Sequence, residues 1–225
     1  MDVFCGSEPI AIDLVYAQAQ HPENIFGIAA YHNKARLILH RDLARVVLKT
    51  ARLLNERYTW TLVLKDGLRT IEAQEILIHT EIVRQNPHWL EEPRLLSGPG
   101  QGAHPRGMAI DVSVKDAQGS AVNMGTVFDA MVPESARAYA GFAPNILRNR
   151  QTLEDAFVEA GDRLSLPVLP LPSEWWDFRF PASYNGRYAP LSDKDLPECL
   201  KMIVKSENSE PADFERLAKD IVSSI

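Results

Sequence analysis

The spacing of hydrophobic positions predicts helices and strands in mixed order. From Arg41 to Glu56, apolar side chains recur at helical spacing and form one core face. From Tyr58 to Lys65, apolar and polar residues alternate, which indicates a strand. Asp66-Gly67 then turns the chain into a second helix, expected from about Ile71 to Arg84, which Asn86-Pro87 ends.

The second half of the chain continues this mixed pattern. A loop rich in proline and glycine, Glu92 to Gly102, leads to a strand over residues 108–114. Alternation along that strand points Asp111 away from the apolar face, as expected of a ligand in a cleft. A helix is expected to begin at Thr152, with Asp155 three residues later, and to end at Gly161.

The end of the chain predicts a short amphipathic helix, with Ser209 as its N-cap and Pro211 in its first turn. Without a repeated β-α-β pattern, the fold class expected is α+β, in a single domain. We expect a catalytic domain over residues 1–190 and a C-terminal helical extension, residues 191–225, packed on it.

Composition and charge narrow the class of protein. Of the 225 residues, 45% are hydrophobic and 24% charged, as in ordinary globular chains. The net charge of −6 argues against nucleic acid or anionic membrane as a partner, and no apolar run could span a membrane. No secretory signal is visible at the N-terminus, and Cys5 and Cys199 are interpreted as reduced thiols rather than a terminal disulfide. The expected location is therefore the cytoplasm.

Two short motifs carry the chemistry. In Gly102-Ala103-His104-Pro105-Arg106-Gly107-Met108-Ala109-Ile110-Asp111, a histidine and an aspartate lie seven residues apart. Ser173-Glu174-Trp175-Trp176-Asp177-Phe178 adds two carboxylates beside two tryptophans. A zinc peptidase needs nitrogen and oxygen ligands, an open coordination position for water, and a carboxylate that deprotonates this water.

Seven motifs in order resemble the D-alanyl-D-alanine dipeptidases of the vancomycin-resistance type, within the zinc D,D-carboxypeptidases and dipeptidases. The resemblance runs from about Ile12 to Phe180. Besides the His104 to Asp111 stretch and Glu174-Trp175-Trp176, the motifs are Ile12-Asp13-Leu14-Val15-Tyr16-Ala17, Leu39-His40-Arg41-Asp42, Asp66-Gly67-Leu68-Arg69, Asn123-Met124-Gly125-Thr126-Val127-Phe128-Asp129, and Asn149-Arg150. This resemblance implies a fold with a small antiparallel sheet flanked by helices around a zinc cleft.

The resemblance implies one zinc ion. His104 and Asp111 match the first two ligands, whereas Asp177 stands where the family has a histidine. No histidine can replace it from nearby, because all six lie at or before His104. Asp177 either binds the metal itself, since carboxylate is an accepted zinc ligand, or the site is weak or lost. Two aspartates and one histidine cancel the charge of a divalent ion, and the extra oxygen ligand makes Mn²⁺ or Fe²⁺ plausible as well.

The resemblance also assigns the remaining roles. Glu174 matches the catalytic base, and Arg69 matches the arginine that stabilises the oxyanion. Asp129 matches the residue that binds the free amino terminus of the substrate, with Tyr16 at the same end. Simpler interpretations are a surface arginine, a helix-capping aspartate and a core tyrosine. Because Glu174 lies three residues before Asp177, it must lie in a bend or at the start of a strand to face the same side.

The expected function is metal-dependent hydrolysis of D-Ala-D-Ala or a closely similar D-amino-acid dipeptide. A first alternative is a related metallopeptidase for another small peptide or peptidoglycan fragment, because Gly102 replaces a family serine and Leu68 a family aromatic residue. A second alternative is a silent peptide-binding homologue that has lost the metal, which only Asp177 favours. The exact dipeptide and the oligomeric state stay open.

Overall fold

A mixed five-stranded sheet forms the centre of the molecule, in a computed structural model that describes residues 1–92, 94–203 and 214–225. The strands are β1 (Ile10–Ile12), β2 (Thr61–Asp66), β3 (Ala109–Lys115), β4 (Leu169–Pro170) and β5 (Asp177–Arg179). Their spatial order is β1-β2-β3-β5-β4. Only the β1–β2 pair is parallel, and the other pairs are antiparallel. The fold is therefore α+β, as the sequence predicts.

Six α-helices flank the sheet within the described residues. They are α1 (Arg41–Tyr58), α2 (Ile71–Ile78), α3 (Glu81–Gln85), α4 (Pro144–Leu164), α5 (Ala182–Asn185) and α6 (Phe214–Val222). The long helices α1 and α4 pack against each other, and α1 also contacts β2. The apolar side chains of β2 and β3 are buried in this core, which holds the central strands in a fixed register.

Helix α1 confirms the predicted helix and explains why the next strand begins late. His40 caps its start by accepting a hydrogen bond from the Asp42 amide at 3.3 Å. The helix continues to Tyr58, where Thr59 takes the left-handed conformation that often ends helices. Strand β2 therefore begins at Thr61 rather than at Tyr58.

Two of the predicted helices have the wrong bounds. The helix expected over residues 71–84 is two helices, α2 and α3, because the Thr80 hydroxyl donates to the Leu77 carbonyl at 2.8 Å and competes with the helical backbone. The helix expected to begin at Thr152 begins at Pro144, whose fixed φ suits a first helical position. Gly161 does not end that helix but lies inside it.

The end of the chain lies against the first helix. Arg45 of α1 donates to the Ser224 carbonyl at 2.8 Å, and α6 also contacts the short helical turn Asp2–Phe4. The predicted N-cap Ser209 and Pro211 lie outside the described residues. No helix within the described ranges is long and apolar enough to cross a membrane. The division at residue 190 remains a prediction.

Candidate active site

Three aspartates from three neighbouring strands form one row across the sheet. Asp66 at the end of β2 is paired with Asp111 of β3, and Asp111 is paired with Asp177 of β5. Directly paired residues lie on the same face of a sheet, so the three carboxylates face the same side. All three side chains are buried. Like charges placed this way repel each other, so the row requires cations close by.

His104 lies above this row in a short helical turn, His104–Arg106. Its Nδ1 donates to the Gly67 carbonyl at 2.8 Å, since a carbonyl can only accept. Nε2 faces two of the carboxylates, 3.6 Å from Asp111 Oδ2 and 3.3 Å from Asp177 Oδ2, while Nδ1 lies 3.7 Å from Asp66 Oδ2. A backbone carbonyl on the far ring nitrogen is the usual support of a histidine that binds metal.

The two distances from His104 Nε2 fit those between ligands of one metal ion. Zinc ligands at about 2.0–2.2 Å from a tetrahedral ion lie roughly 3.3–3.6 Å from one another, which is the spacing between His104 Nε2 and the two oxygens. Asp111 supplies an independent observation, because its Oδ1 is buried and has no hydrogen-bond partner among the described residues. An unpartnered buried carboxylate oxygen is unfavourable unless a cation binds it. Asp66, His104 and Asp111 also offer one ligand atom each within 4.8 Å of one another, as do Asp111, Glu174 and Asp177. The donors around Asp111 therefore suit a divalent cation.

Asp66 fixes the position of Arg69 and was not assigned a role from sequence. It accepts hydrogen bonds from Arg69 Nε at 2.9 Å and Nη2 at 2.7 Å, and from the Tyr31 hydroxyl at 2.7 Å. Arg69 Nη2 also lies 3.7 Å from Asp111 Oδ2. Nη1 has no hydrogen bond within the described part of the chain, so one end of the guanidinium remains available to a ligand.

Asp177 is held by a second arginine that sequence reasoning also missed. Arg179 Nε donates to Asp177 Oδ1 at 2.7 Å, and Nη2 donates to Oδ2 in a short contact. The two residues are two apart on β5, so they share a face, and this spacing was the available signal. Burial would raise the pKa of Asp177, but Arg179 holds it well below its ordinary value.

Glu174 lies in the turn before β5, which confirms the expectation that it sits in a bend. One oxygen each from Asp111, Glu174 and Asp177 lie within 4.8 Å of one another. Burial and then the negative charge of Asp177 raise the pKa of Glu174 well above its ordinary value. The cleft therefore holds a carboxyl group that takes up a proton more readily than an exposed one, which suits general acid–base chemistry.

The electrostatic potential at the centre favours a cation. Burial alone would lower the pKa of His104, but Asp111 and Asp177 raise it to about 10 despite the opposing charge of Arg69. Burial raises the pKa of Asp111 to about 7 against the opposing charge of His104. In the absence of a metal, the site therefore takes up protons in the place where a divalent ion would bind.

Asp129 lies at the other end of the cleft on a tightly anchored loop. It accepts a short hydrogen bond from the Tyr16 hydroxyl through Oδ2. Asp129 lies in a turn with a φ of 60° and borders no helix of the described residues, so it does not cap one. Tyr16 is a core residue as well, since it is fully buried. Arg150 anchors the loop by donating to the Met124 carbonyl at 2.7 Å and the Glu134 carbonyl at 3.0 Å.

The structure brings all the sequence-predicted site residues into one region. The cleft is lined by Arg69, His104, Asp111, Asp129, Glu174 and Arg179, among others. Asp177 lies beneath His104 and Arg179, and Tyr16 lies beneath Asp129. Trp175 and Trp176 are buried in the core and do not line this cleft, although they were expected to wall it.

Comparison with known proteins identifies the family of the chain. A family model described as D-ala-D-ala dipeptidase matches residues 7–193. The chain is 30% identical over 177 residues to the D-alanyl-D-alanine dipeptidase of Escherichia coli (strain K12), covering 78% of this chain and 82% of that protein. It is also similar to the solved L-Ala D-Glu endopeptidase ChiX of Serratia marcescens, with 16% identity, a TM-score of 0.39, and coverage of 64% of this chain and 82% of that chain. On the family match and the identity to the dipeptidase, the chain belongs to the D-Ala-D-Ala dipeptidase family of peptidases.

Proposed function

We propose that this protein hydrolyses D-Ala-D-Ala or a closely similar D-amino-acid dipeptide with the help of one divalent metal ion. The observation that carries the proposal is that His104 Nε2 lies 3.6 Å from Asp111 Oδ2 and 3.3 Å from Asp177 Oδ2, which are distances expected between ligands of one metal ion. The unpartnered Asp111 Oδ1 supports it independently. Membership of the dipeptidase family supports the substrate class.

The metal ligands in this proposal are His104, Asp111 and Asp177. When bound, the ion would supply Lewis-acid polarisation of the scissile carbonyl and make a water molecule more acidic. Zinc is the first choice, because one histidine and two carboxylates are accepted zinc ligands; Mn²⁺ and Fe²⁺ fit the oxygen-rich set as well.

Glu174 moves the proton in this proposal. Its carboxyl lies beside Asp111 and Asp177 at the cleft, so it is placed to accept a proton from an attacking water. Burial and the charge of Asp177 favour the protonated form of Glu174, so Glu174 can then deliver the same proton to the leaving amine. A single carboxyl group thus serves both proton transfers.

Arg69 stabilises the negative charge that develops during the reaction, and Asp129 binds the ammonium group of the dipeptide. The free Nη1 of Arg69 is available to donate to the oxyanion, while Asp66 holds the rest of the guanidinium. Asp129 Oδ1 is available for the substrate ammonium, because Tyr16 occupies only Oδ2. An acidic group that binds the ammonium selects a short peptide with a free amino end.

The first test is release of D-alanine from D-Ala-D-Ala by purified protein with added zinc. Glu174→Gln is the matched variant, because it keeps the size of the side chain and removes its basicity. We expect release that depends on zinc and on Glu174. No release from either protein in the presence of bound zinc would refute the assigned substrate.

The binding of the amino end is tested with a second substrate. N-acetyl-D-Ala-D-Ala lacks the ammonium, so we expect it to be a poor substrate for the unaltered protein. Asp129→Asn should raise KM for D-Ala-D-Ala and reduce the discrimination between the two compounds. Equal activity on both substrates would contradict the role of Asp129.

A related peptidase for a different dipeptide is the second candidate, and Gly102 favours it. Gly102 has a φ of 79°, and a Cβ added there would lie 3.1 Å from Ser97 Oγ. The wall of the cleft is therefore built from Ser97 at this point rather than from a side chain at position 102. A panel of D,D-, L,D- and L,L-dipeptides separates the two candidates.

A further inference from the structure

Arg179 and Asp177 form a bidentate ion pair, called here the clamp, which holds the carboxylate of a proposed metal ligand. Nε and Nη2 of Arg179 reach both oxygens of Asp177, so the guanidinium and the carboxylate lie in a two-bond pair. Two parallel bonds fix the plane of the carboxylate as well as its position. Asp177 is fully buried, whereas the Arg179 side chain is 18% exposed where it lines the cleft.

The same clamp leaves one side of Asp177 Oδ2 open toward the centre. A carboxylate oxygen has two lone pairs, and Arg179 Nη2 takes one of them. His104 Nε2 lies 3.3 Å from this oxygen, on the side where a shared ion would bind. Arg179 therefore donates to Asp177 without using the lone pair that faces His104.

Charge supplies a second argument. Asp111 and Asp177 are paired directly across two strands and would repel each other as two free carboxylates. Arg179 cancels the charge of Asp177, so the set of His104, Asp111 and Asp177 presents one net negative charge instead of two. Paired with Arg179, Asp177 contributes no net charge to the site, but its Oδ2 is still available to bind the ion.

We propose that Arg179 is a positioning residue for the metal ligand Asp177, holding its Oδ2 toward His104 and cancelling its charge. This inference rests on the proposed function, because it assumes that Asp177 binds the ion. Arg179 is not needed by a neutral ligand at position 177, and a buried arginine beside a neutral ligand and a cation would be unfavourable.

The test compares zinc binding by the unaltered protein, Arg179→Gln, Asp177→His and the double variant Asp177→His with Arg179→Gln. Zinc affinity is measured by competition with a coloured chelator, and the visible absorption of bound Co²⁺ reports the coordination of the ion. Removal of an outer partner of a ligand typically weakens metal affinity about 10–100-fold, and we expect this loss for Arg179→Gln alone. In the Asp177→His background, the same change should weaken affinity by less than about twofold, because imidazole is a neutral zinc ligand.

If Arg179→Gln folds poorly, the double variant keeps the test valid. It removes the charges of both Asp177 and Arg179, so neither position is left with an unpaired buried charge. Arg179→Lys adds a graded control, since lysine keeps the charge but cannot make the two parallel bonds. Its Co²⁺ spectrum should differ from that of the unaltered protein. Thermal unfolding of the metal-free proteins measures any general loss of stability separately.

Several results would overturn the inference. Zinc binding as tight or tighter in Arg179→Gln would show that Arg179 competes with the ion, and an equal loss in both backgrounds would show a merely structural role. Zinc binding by the double variant but not by the unaltered protein would show that the Asp177–Arg179 pair replaces the ion. Absence of zinc from the unaltered protein, Asp177→His and the double variant alike would refute the proposed function itself.

Discussion

Asp66→Asn should destabilise the protein markedly, because it removes the counter-charge of a buried arginine. Asp66 is fully buried and accepts two hydrogen bonds from Arg69 and one from Tyr31. Asparagine keeps the shape and one acceptor oxygen but loses the charge. Breaking a buried ion pair by removing one partner costs about 3–5 kcal/mol.

The structure places the expected loss at the low end of that range. Asp111 Oδ2 lies 3.7 Å from Arg69 Nη2, so Asp111 continues to compensate part of the arginine's charge. We therefore expect a loss of about 3 kcal/mol in the free energy of unfolding. For a chain of this size, about 2–4 °C in Tm corresponds to each kcal/mol, so Tm should fall by roughly 6–12 °C.

The assay is thermal unfolding of the metal-free protein, followed by circular dichroism or calorimetry. Glu159→Gln is the matched control, because Arg57 donates to Glu159 through two bonds of 2.6 and 2.7 Å, but at an exposed position. Solvent screens that pair, so its loss should leave Tm almost unchanged. Tyr31→Phe should give a smaller fall than Asp66→Asn, since it removes one hydrogen bond and no charge. Equal shifts for Asp66→Asn and Glu159→Gln would refute the argument.

Three further predictions follow from the site and the fold. Glu174→Gln should lower kcat by about 10²–10⁴-fold while zinc affinity stays within a few-fold, and parallel losses of both would contradict a role in proton transfer. Zinc affinity should rise with pH, because the ion must displace a proton from His104, whose pKa the carboxylates raise to about 10 against the effect of burial. Zinc titrations at about pH 6 and about pH 8 should give affinities that differ by roughly 100-fold per proton released. An affinity that does not change with pH would contradict this. Gly161→Ala should lower the free energy of unfolding by about 1–3 kcal/mol despite the better helix propensity of alanine. The reason is that the added Cβ would lie 2.8 Å from the Leu166 carbonyl oxygen. Unchanged stability in urea unfolding would count against that contact.

The main helices and strands could be predicted where periodicity and end signals agree. Helix α1 was located correctly because its apolar stripe is long and His40-Arg41-Asp42 marks its start. Helix α4 was placed eight residues too late, because Thr152 and Asp155 imitate a capping pattern within a continuous helix. Gly161 imitates a stop signal in the same way, although the glycine is required by the close approach of Leu166 and Val168. Such tertiary reasons cannot be read from local sequence.

The candidate site was predictable in its residues but not in its pairing. The motif containing His104 and Asp111 and the one containing Glu174 and Asp177 predict side chains that the structure brings into one cleft, and their roles stay predictions. Their mutual register depends on which strands lie side by side, and the sequence gives no strand order. Asp66 was therefore overlooked, although it lies three residues before Arg69. Arg179 could have been found, because a residue two positions after Asp177 on a strand faces the same side.

The charges of the row determine where a cation can bind. Each outer aspartate has its own arginine, since Arg69 neutralises Asp66 and Arg179 neutralises Asp177. Asp111 between them has only the more distant Arg69 Nη2 and His104 Nε2 near its Oδ2, and its Oδ1 has no hydrogen-bond partner among the described residues. Three like charges in one row would oppose folding, so the two arginines stabilise the ends and leave the excess charge at the middle. The uncompensated repulsion between paired aspartates therefore remains at Asp111, where a bound cation would neutralise it.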